Sequence, residues 1–127
     1  MNKCTIADLR KMPFDKHIKP YSFHVGGIET KVDNWNHLCL VFVQWLNQNG
    51  FLTIEKLPVP NHAGRGKYFI NIKPQHKIRE MDGYWQNVGP YYIDTKYNAD
   101  AHIKNILSTL RHVGVASPQF QISFHAD

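Results

Sequence analysis

The chain has 127 residues, of which 43% are hydrophobic and 13% aromatic; this composition suits one globular domain and excludes a disordered chain. Fifteen Lys and Arg against ten Asp and Glu give a formal net charge of +5. The longest apolar run covers residues 38–43, far short of the about 20 residues of a membrane span. With no signal-like start, we predict a cytoplasmic protein that does not contact a membrane, with one domain over 1–127, an N-terminal arm over 1–20 and a core over 21–125.

The first predicted elements are a short helix and a β-hairpin. Residues 5–12 fit a helix of at most two turns, which Pro13 ends. Residues 21–32 fit a hairpin, because two alternating runs flank Gly26-Gly27, a dipeptide that tolerates positive φ. In this register, one face is expected in the core and the other in water: Tyr21, Phe23, Val25, Ile28, Thr30 and Val32 against Ser22, His24, Glu29 and Lys31.

Apolar residues at helical spacing then predict a main core helix. It begins at Asp33 or Asn34 and runs to about Asn49, where Gly50 ends it. Residues 51–57 fit either a strand or a short helix. The apolar stripe of the main helix consists of Trp35, Leu38, Val41, Phe42, Trp45 and Leu46.

The second half of the chain alternates loops, strands and one more helix. We predict a flexible loop over 61–66, a strand over 67–73, and over 84–95 either one strand interrupted at Gly89-Pro90 or two short ones. A second long helix begins at Asn98 or Asp100 and ends before Gly114. The alternation of Phe120, Ile122 and Phe124 predicts a closing strand.

These elements predict an α+β fold in which two long helices pack on one antiparallel sheet. The sheet would contain the N-terminal hairpin, the 67–73 strand, the 84–95 region and the last strand. The alternative is a winged-helix variant, with the hairpin or the 61–79 loop as the wing.

Positive charge is concentrated in one stretch of the chain. Residues 56–79 contain six cations and no carboxylate, which leaves nine cations against ten acids elsewhere. Such a stretch suits a polyanion or the acidic face of a partner protein. The six cations are Lys56, Arg65, Lys67, Lys73, Lys77 and Arg79.

Aromatic residues near these cations complete a candidate nucleic-acid site. Lys and Arg side chains bind phosphates, and aromatic faces stack on bases. The Gly-Arg-Gly sequence at 64–66 lacks the spacing of a phosphate-binding P-loop or a dinucleotide fingerprint. We predict phosphate contacts from Arg65, Lys67, Lys73, Lys77 and Arg79, and stacking from Tyr68, Trp85 and Tyr92.

The sequence offers little for catalysis or metal binding. No two of the eight histidines have the spacing of a helical metal pair, and the two cysteines, Cys4 and Cys39, fit reduced thiols. Asp94 and Lys96 form an Asp-x-Lys sequence without a convincing partner acid upstream, so a metal-dependent nuclease centred on Asp94 ranks last. We predict no catalytic residue, no metal and no cofactor.

Three segments resemble a small module that recurs in bacterial restriction and other defence-associated proteins: GRGKYFINIKPQHKIRE (64–80), YYIDTKYNADAHIKNILSTLRHVGV (91–115) and ETKVDNWNHLCLVFVQWL (29–46). The resemblance covers about residues 20–125. It departs at Lys96, where the module has Asn, and at the second helix start, where the module has Ser. It implies an association with defence rather than a mechanism. The matching residues are Arg65, Tyr68, Phe69, Tyr92, Thr95 and Asn98.

Three functions remain open at this point. The first is a non-catalytic nucleic-acid-binding module, for DNA or RNA, linked to bacterial or phage defence. The second is a small inhibitor or adaptor that binds an acidic protein. The third is the Asp94 nuclease.

Overall fold

The computed structural model describes residues 2–5, 19–77, 83–116 and 119–124. In this part of the chain, two four-stranded antiparallel sheets pack with two α-helices. The strands are β1 (Asn2–Thr5), β2 (Pro20–Val25), β3 (Ile28–Lys31), β4 (Val59–Pro60), β5 (Tyr68–Asn71), β6 (Trp85–Val88), β7 (Tyr91–Asp94) and β8 (Phe120–Phe124). The helices are α1 (Trp35–Gln48) and α2 (Ala99–Val113), and Ile54–Lys56 forms a 3-10 turn.

The α+β class and the two long helices are as predicted, but the single sheet is wrong. The first sheet has the order β1-β8-β2-β3, and the second has the order β4-β5-β7-β6. The hairpin continues into its sheet through β8 rather than projecting as a wing. Alternating residues predict a strand but do not specify which strands pair, so the division into two sheets is absent from the pattern.

Helix α1 packs its apolar side chains against the first sheet. The Asn34 side chain accepts a hydrogen bond from the His37 N–H at 2.8 Å and so caps the helix start. Phe42 contacts Phe23 and Phe120 with ring centroids 6.3 and 5.8 Å apart. The predicted stripe is buried except at Val41 and Trp45, which are half-buried.

Helix α2 begins at the first of its two predicted caps. The Asn98 side chain accepts from the Ala101 N–H at 2.9 Å, whereas Asp100 lies in the first turn and pairs with Lys104 at 2.9 Å. Gly114 ends the helix in the left-handed conformation, with φ of 79°. Ile103, Ile106, Leu110 and Val113 are buried and Leu107 is half-buried.

The hairpin has the predicted register, with His24 opposite Glu29, but its division into core and water faces is partly wrong. Ser22 is fully buried, and the His24 ring lies within hydrogen-bond distance of both Ser22 Oγ and Ser123 Oγ. Ile28 is 67% exposed. It lies on strand β3, which among the described residues has a neighbouring strand on one side only.

The remaining predictions concern the N-terminal region and the middle of the chain. The predicted helix over 5–12 lies outside the described residues except for Thr5, which ends β1. The ambiguous 51–57 segment contains the 3-10 turn, and β4 was not predicted. The 84–95 region forms two strands joined at Gly89-Pro90. No helix in the described ranges is long and apolar enough to cross a membrane.

Candidate nucleic-acid interface

Two loops of the second sheet carry four of the five predicted phosphate-binding residues. We call residues 61–67, before β5, and residues 72–77, after it, the basic loops. They contact each other directly, since the Lys77 N–H donates to the Gly66 carbonyl at 3.0 Å. A Cβ on Gly66 would lie 3.5 Å from the Lys77 Cβ. Arg65, Lys67 and Lys77 therefore lie on adjoining backbone segments.

The first basic loop forms a loop where one was predicted, and hydrogen bonds close it. Asn61 Oδ1 accepts from the N–H groups of Ala63 and Gly64, at 3.0 and 2.8 Å. The Asn61 N–H donates to the Lys67 carbonyl at 3.1 Å, which closes the loop. Asn105 on α2 accepts from the His62 N–H at 2.9 Å and ties the loop to the helix.

Arg65 occupies an unusual position in this loop. Its φ is +54°, between Gly64 at +72° and Gly66 at +79°. The Lys67 N–H donates to the Gly64 carbonyl at 3.0 Å, so the three residues form a tight left-handed turn. A side chain in this conformation costs about 1–2 kcal/mol relative to the usual right-handed regions.

His76 holds the second basic loop against the sheet. Its Nδ1 accepts from the Tyr68 N–H at 2.8 Å, so its proton lies on Nε2, which donates to Asp94 Oδ2 at 2.9 Å. The imidazole is fully buried. Since both ring nitrogens are occupied, His76 connects β5 to β7 and has no nitrogen available as a catalytic base.

Asp94 is likewise occupied by structural hydrogen bonds. Oδ1 accepts from the N–H groups of Tyr84 and Lys96, at 2.9 and 3.1 Å. Oδ2 accepts from His76 and, at 3.4 Å, from the Tyr97 hydroxyl. Burial raises the pKa of Tyr97 to about 12, so this hydroxyl keeps its proton. Asp94 is 2% exposed, and this arrangement leaves its carboxylate poorly placed to bind a metal.

The three predicted stacking residues lie near the second basic loop. The Trp85 ring is 4.8 Å from the His76 ring, and the Tyr68 ring is 6.3 Å from it. Tyr92 pairs with Asn71 of β5, immediately before the loop. All three aromatic side chains are half-buried, so each keeps part of its surface in solvent.

The predicted cations divide into three groups. Arg65, Lys67, Lys73 and Lys77 are exposed, and within the described ranges none of them forms an ion pair. Arg79 lies outside the described residues. Lys56 is different, because its ammonium donates to the carbonyls of Phe51 and Val113, at 3.0 and 3.1 Å, and binds the C-terminal end of α2.

Sequence reasoning missed two features of this site. His76 connects the loop to the sheet, and a histidine at that position gave no pattern that predicts a buried role. Lys96 lies 5.3 Å from the centre of the Tyr84 ring, and Tyr84 is 64% exposed. The Asp94–Lys96 spacing suggested a nuclease, whereas the structure places Lys96 over an aromatic ring.

The Cys39 thiol lies between α1 and α2 and is buried. Cys39 Sγ is 3.2 Å from His102 Nδ1, and His102 Nε2 donates to Asn36 Oδ1 at 2.9 Å. Burial raises the pKa of the Cys39 thiol far above its usual range and lowers the pKa of His102 to about 4. A neutral thiol and a neutral imidazole at this position are not a nucleophile–base pair.

Comparisons with protein-family models, with curated proteins and with solved structures gave no match for this chain. In the described ranges, no group of three or more His, Cys, Asp or Glu side chains is arranged to hold a metal ion.

Proposed function

We propose that this protein is a non-catalytic nucleic-acid-binding module whose phosphate contacts come from the two basic loops. The main support is that the exposed cations Arg65, Lys67 and Lys77 lie on loops joined backbone to backbone, with Lys73 in the second loop. No Asp or Glu occurs over 56–79. Such a surface attracts the phosphate backbone of a nucleic acid whatever its base sequence.

The conformation of Arg65 supports the same function. Its flanking residues are both glycine, and glycine at position 65 would avoid the conformational cost. Residues in such conformations occur preferentially at functional sites, where the side chain is needed despite the strain. An arginine on a tight exposed turn is well suited to bind phosphate with its planar guanidinium group.

The aromatic residues provide a place for bases beside the phosphates. Trp85 and Tyr68 lie close to His76, whose loop carries Lys73 and Lys77. Stacking on half-exposed rings next to cations is the usual arrangement in proteins that bind single strands. The resemblance to a defence-associated module suggests that the nucleic acid is encountered in bacterial or phage defence.

The contacts of Asp94 and His76 leave the nuclease alternative with less support than the sequence alone gave it. Asp94 accepts four hydrogen bonds, and His76 has no available nitrogen. We therefore expect no cleavage of DNA or RNA in Mg²⁺ or Mn²⁺. Cleavage that Asp94→Ala abolishes, in a variant that still folds, would contradict this expectation.

The test is a fluorescence anisotropy titration against duplex DNA, single-stranded DNA and RNA of equal length at several salt concentrations. If the four exposed cations each meet a phosphate, log K should fall with log salt at a slope between about −2.8 and about −3.6. Arg65→Ala, Lys67→Ala and Lys77→Ala should each reduce that slope by about 0.7–0.9. Tyr68→Ala or Trp85→Ala should weaken binding by about 1–3 kcal/mol and leave the slope unchanged.

Lys19→Ala is the matched control, since Lys19 is exposed and precedes β2 of the other sheet. It should leave affinity and slope unchanged. No binding to any of the three nucleic acids at low salt would overturn the proposal. Binding that the loop variants and Lys19→Ala affect equally would place the interface elsewhere.

The second candidate, an inhibitor or adaptor for an acidic protein, uses the same cations. It becomes the better interpretation if an acidic protein competes for the loops while the three nucleic acids do not bind.

A further inference from the structure

Strand β3 is the outermost strand of the first sheet in the described part of the chain. The Val32 N–H donates to the Tyr21 carbonyl at 2.9 Å, so the main chain of Val32 points toward β2. Because this direction alternates along a strand, the main-chain groups of Thr30 also point toward β2. Those of Glu29 and Lys31 point away from the sheet, where no strand among the described residues pairs with them.

A second copy of the same strand could pair with these outward groups. In antiparallel pairing, hydrogen bonds join residues whose main-chain groups both point outward, so the two-fold axis must pass through a residue position. An axis at Glu29 places Glu29 opposite itself, and an axis at Lys31 places Lys31 opposite itself. Both registers bring like charges together, which is unfavourable.

The register centred on Thr30 instead brings opposite charges together. It places Glu29 of each copy opposite Lys31 of the other, so that two hydrogen-bonded pairs are also two ion pairs. Thr30 then faces its own counterpart at the closely spaced position, where Thr–Thr pairs are favourable. Glu29 and Lys31 are both exposed and can reach across the new pairing.

We propose that this protein forms a two-fold symmetric homodimer through β3, in the register centred on Thr30. The two first sheets then form one continuous antiparallel sheet of eight strands. Alternating charges on an edge strand usually prevent edge-to-edge pairing. Here the same two charges exclude the registers centred on Glu29 and Lys31 and favour the remaining one.

The apolar face of β3 fits this partner. Ile28 is 67% exposed, and in the proposed register it lies opposite Val32 of the second copy. Beside it, an open groove of about 160 Å³ runs between β3 and α1. No Lys, Arg, Asp or Glu lines this groove, as in the centre of many protein interfaces. Its lining includes Ile28, Thr30, Val41 and Trp45.

The test is the oligomeric state of charge variants, measured by sedimentation velocity over a concentration series. The wild-type chain should dimerise. Glu29→Lys and Lys31→Glu each create two like-charge pairs and should weaken the dimer by about tenfold or more. The double variant E29K/K31E restores opposite charges and should dimerise like the wild type. An equimolar mixture of the two single variants should form a heterodimer.

Two matched controls change the net charge equally at exposed sites away from β3: Glu55→Lys for the first variant and Lys19→Glu for the second. Both should dimerise like the wild type, and circular dichroism should show that all variants fold. A wild-type chain that stays monomeric at millimolar concentration would overturn the proposal. So would a dimer that both single variants retain, or a double variant that fails to recover.

Discussion

The two sheets differ in how they are held together. In the first sheet, β8 lies between β1 and β2, so the two ends of the chain close around an aromatic core. The described strands of the second sheet all lie within residues 59–94, and a buried His–Asp pair joins two of them. The first sheet joins distant segments through apolar packing, whereas the second adds a buried polar pair to apolar residues such as Phe69, Ile70 and Ile93.

The strand ladders show the same difference. Strands β2 and β8 pair over five positions, whereas β5 and β7 pair at two, Ile70 with Ile93 and Asn71 with Tyr92. Beyond that point the His76 side chain connects the two strands. His76 thus replaces main-chain hydrogen bonds between β5 and β7 with bonds through its side chain. Because His76 belongs to the second basic loop, the position of that loop and the stability of the sheet are coupled.

The largest expected effect is on the first sheet. Phe120 is fully buried, and its ring lies 5.5 Å from Phe23 and 4.8 Å from Trp45. Phe120→Ala should lower the free energy of unfolding by about 3–5 kcal/mol, because it leaves a cavity in the aromatic core. Urea denaturation measures this, with Gln119→Ala at an exposed neighbour as the control. A loss below about 1 kcal/mol would contradict the packing described here.

A similar but polar effect is expected in the second sheet. His76→Ala leaves the Tyr68 N–H without its acceptor and removes one of the four hydrogen bonds to the Asp94 carboxylate, and should cost about 2–4 kcal/mol. The Tyr68 amide should also exchange its hydrogen faster, which a general packing defect would not single out. His62→Ala, at an exposed histidine, is the control. Unchanged Tyr68 exchange would show that His76 does not hold the strand.

The region between the helices should respond to pH. Burial lowers the pKa of His102 to about 4, so the unfolded chain binds a proton that the folded chain rejects. The stability that neutral His102 provides is fully present above the unfolded pKa of about 6.5 and is lost as pH falls toward 4. The loss should be about 2 kcal/mol at about pH 5. His102→Gln should show a shallower fall in unfolding free energy over this range, and an equal slope would contradict the assignment.

The smallest expected effect is at the left-handed turn. Arg65→Gly removes a side chain from a positive φ and should raise stability by up to about 1 kcal/mol, whereas Arg65→Ala should not. Both variants should weaken nucleic-acid binding to the same extent. Thermal denaturation and the anisotropy titration separate the two effects. Equal stability of the Gly and Ala variants would show that the turn is not strained.

The helices and the hairpin were predictable from the sequence because their signals are local. Asn34, Gly50, Asn98 and Gly114 mark the helix ends, and Gly26-Gly27 marks the hairpin turn. Each signal acts within a few residues along the chain, through a side-chain cap or a positive φ. The position of the cations over 56–79 is equally a property of the sequence.

The candidate site was predictable in its residue types but not in its arrangement. The charge pattern predicted Arg65, Lys67, Lys73 and Lys77, and all four are exposed. The same pattern included Lys56, whose ammonium is used to bind two carbonyl groups. The charge pattern cannot distinguish an exposed cation from Lys56, because Lys56 is bound by main-chain carbonyls that other parts of the fold bring to it.

The sequence by itself determined the α+β class, the two helices with their caps and the concentration of cations in one stretch. The tertiary structure decided that the strands form two sheets, that β8 lies inside the first, and that His76 and Asp94 form a buried hydrogen bond. Helix caps, turns and charge runs depend on residues a few positions apart. Strand partners and buried hydrogen bonds depend on which distant segments meet, and no single stretch of sequence contains that information.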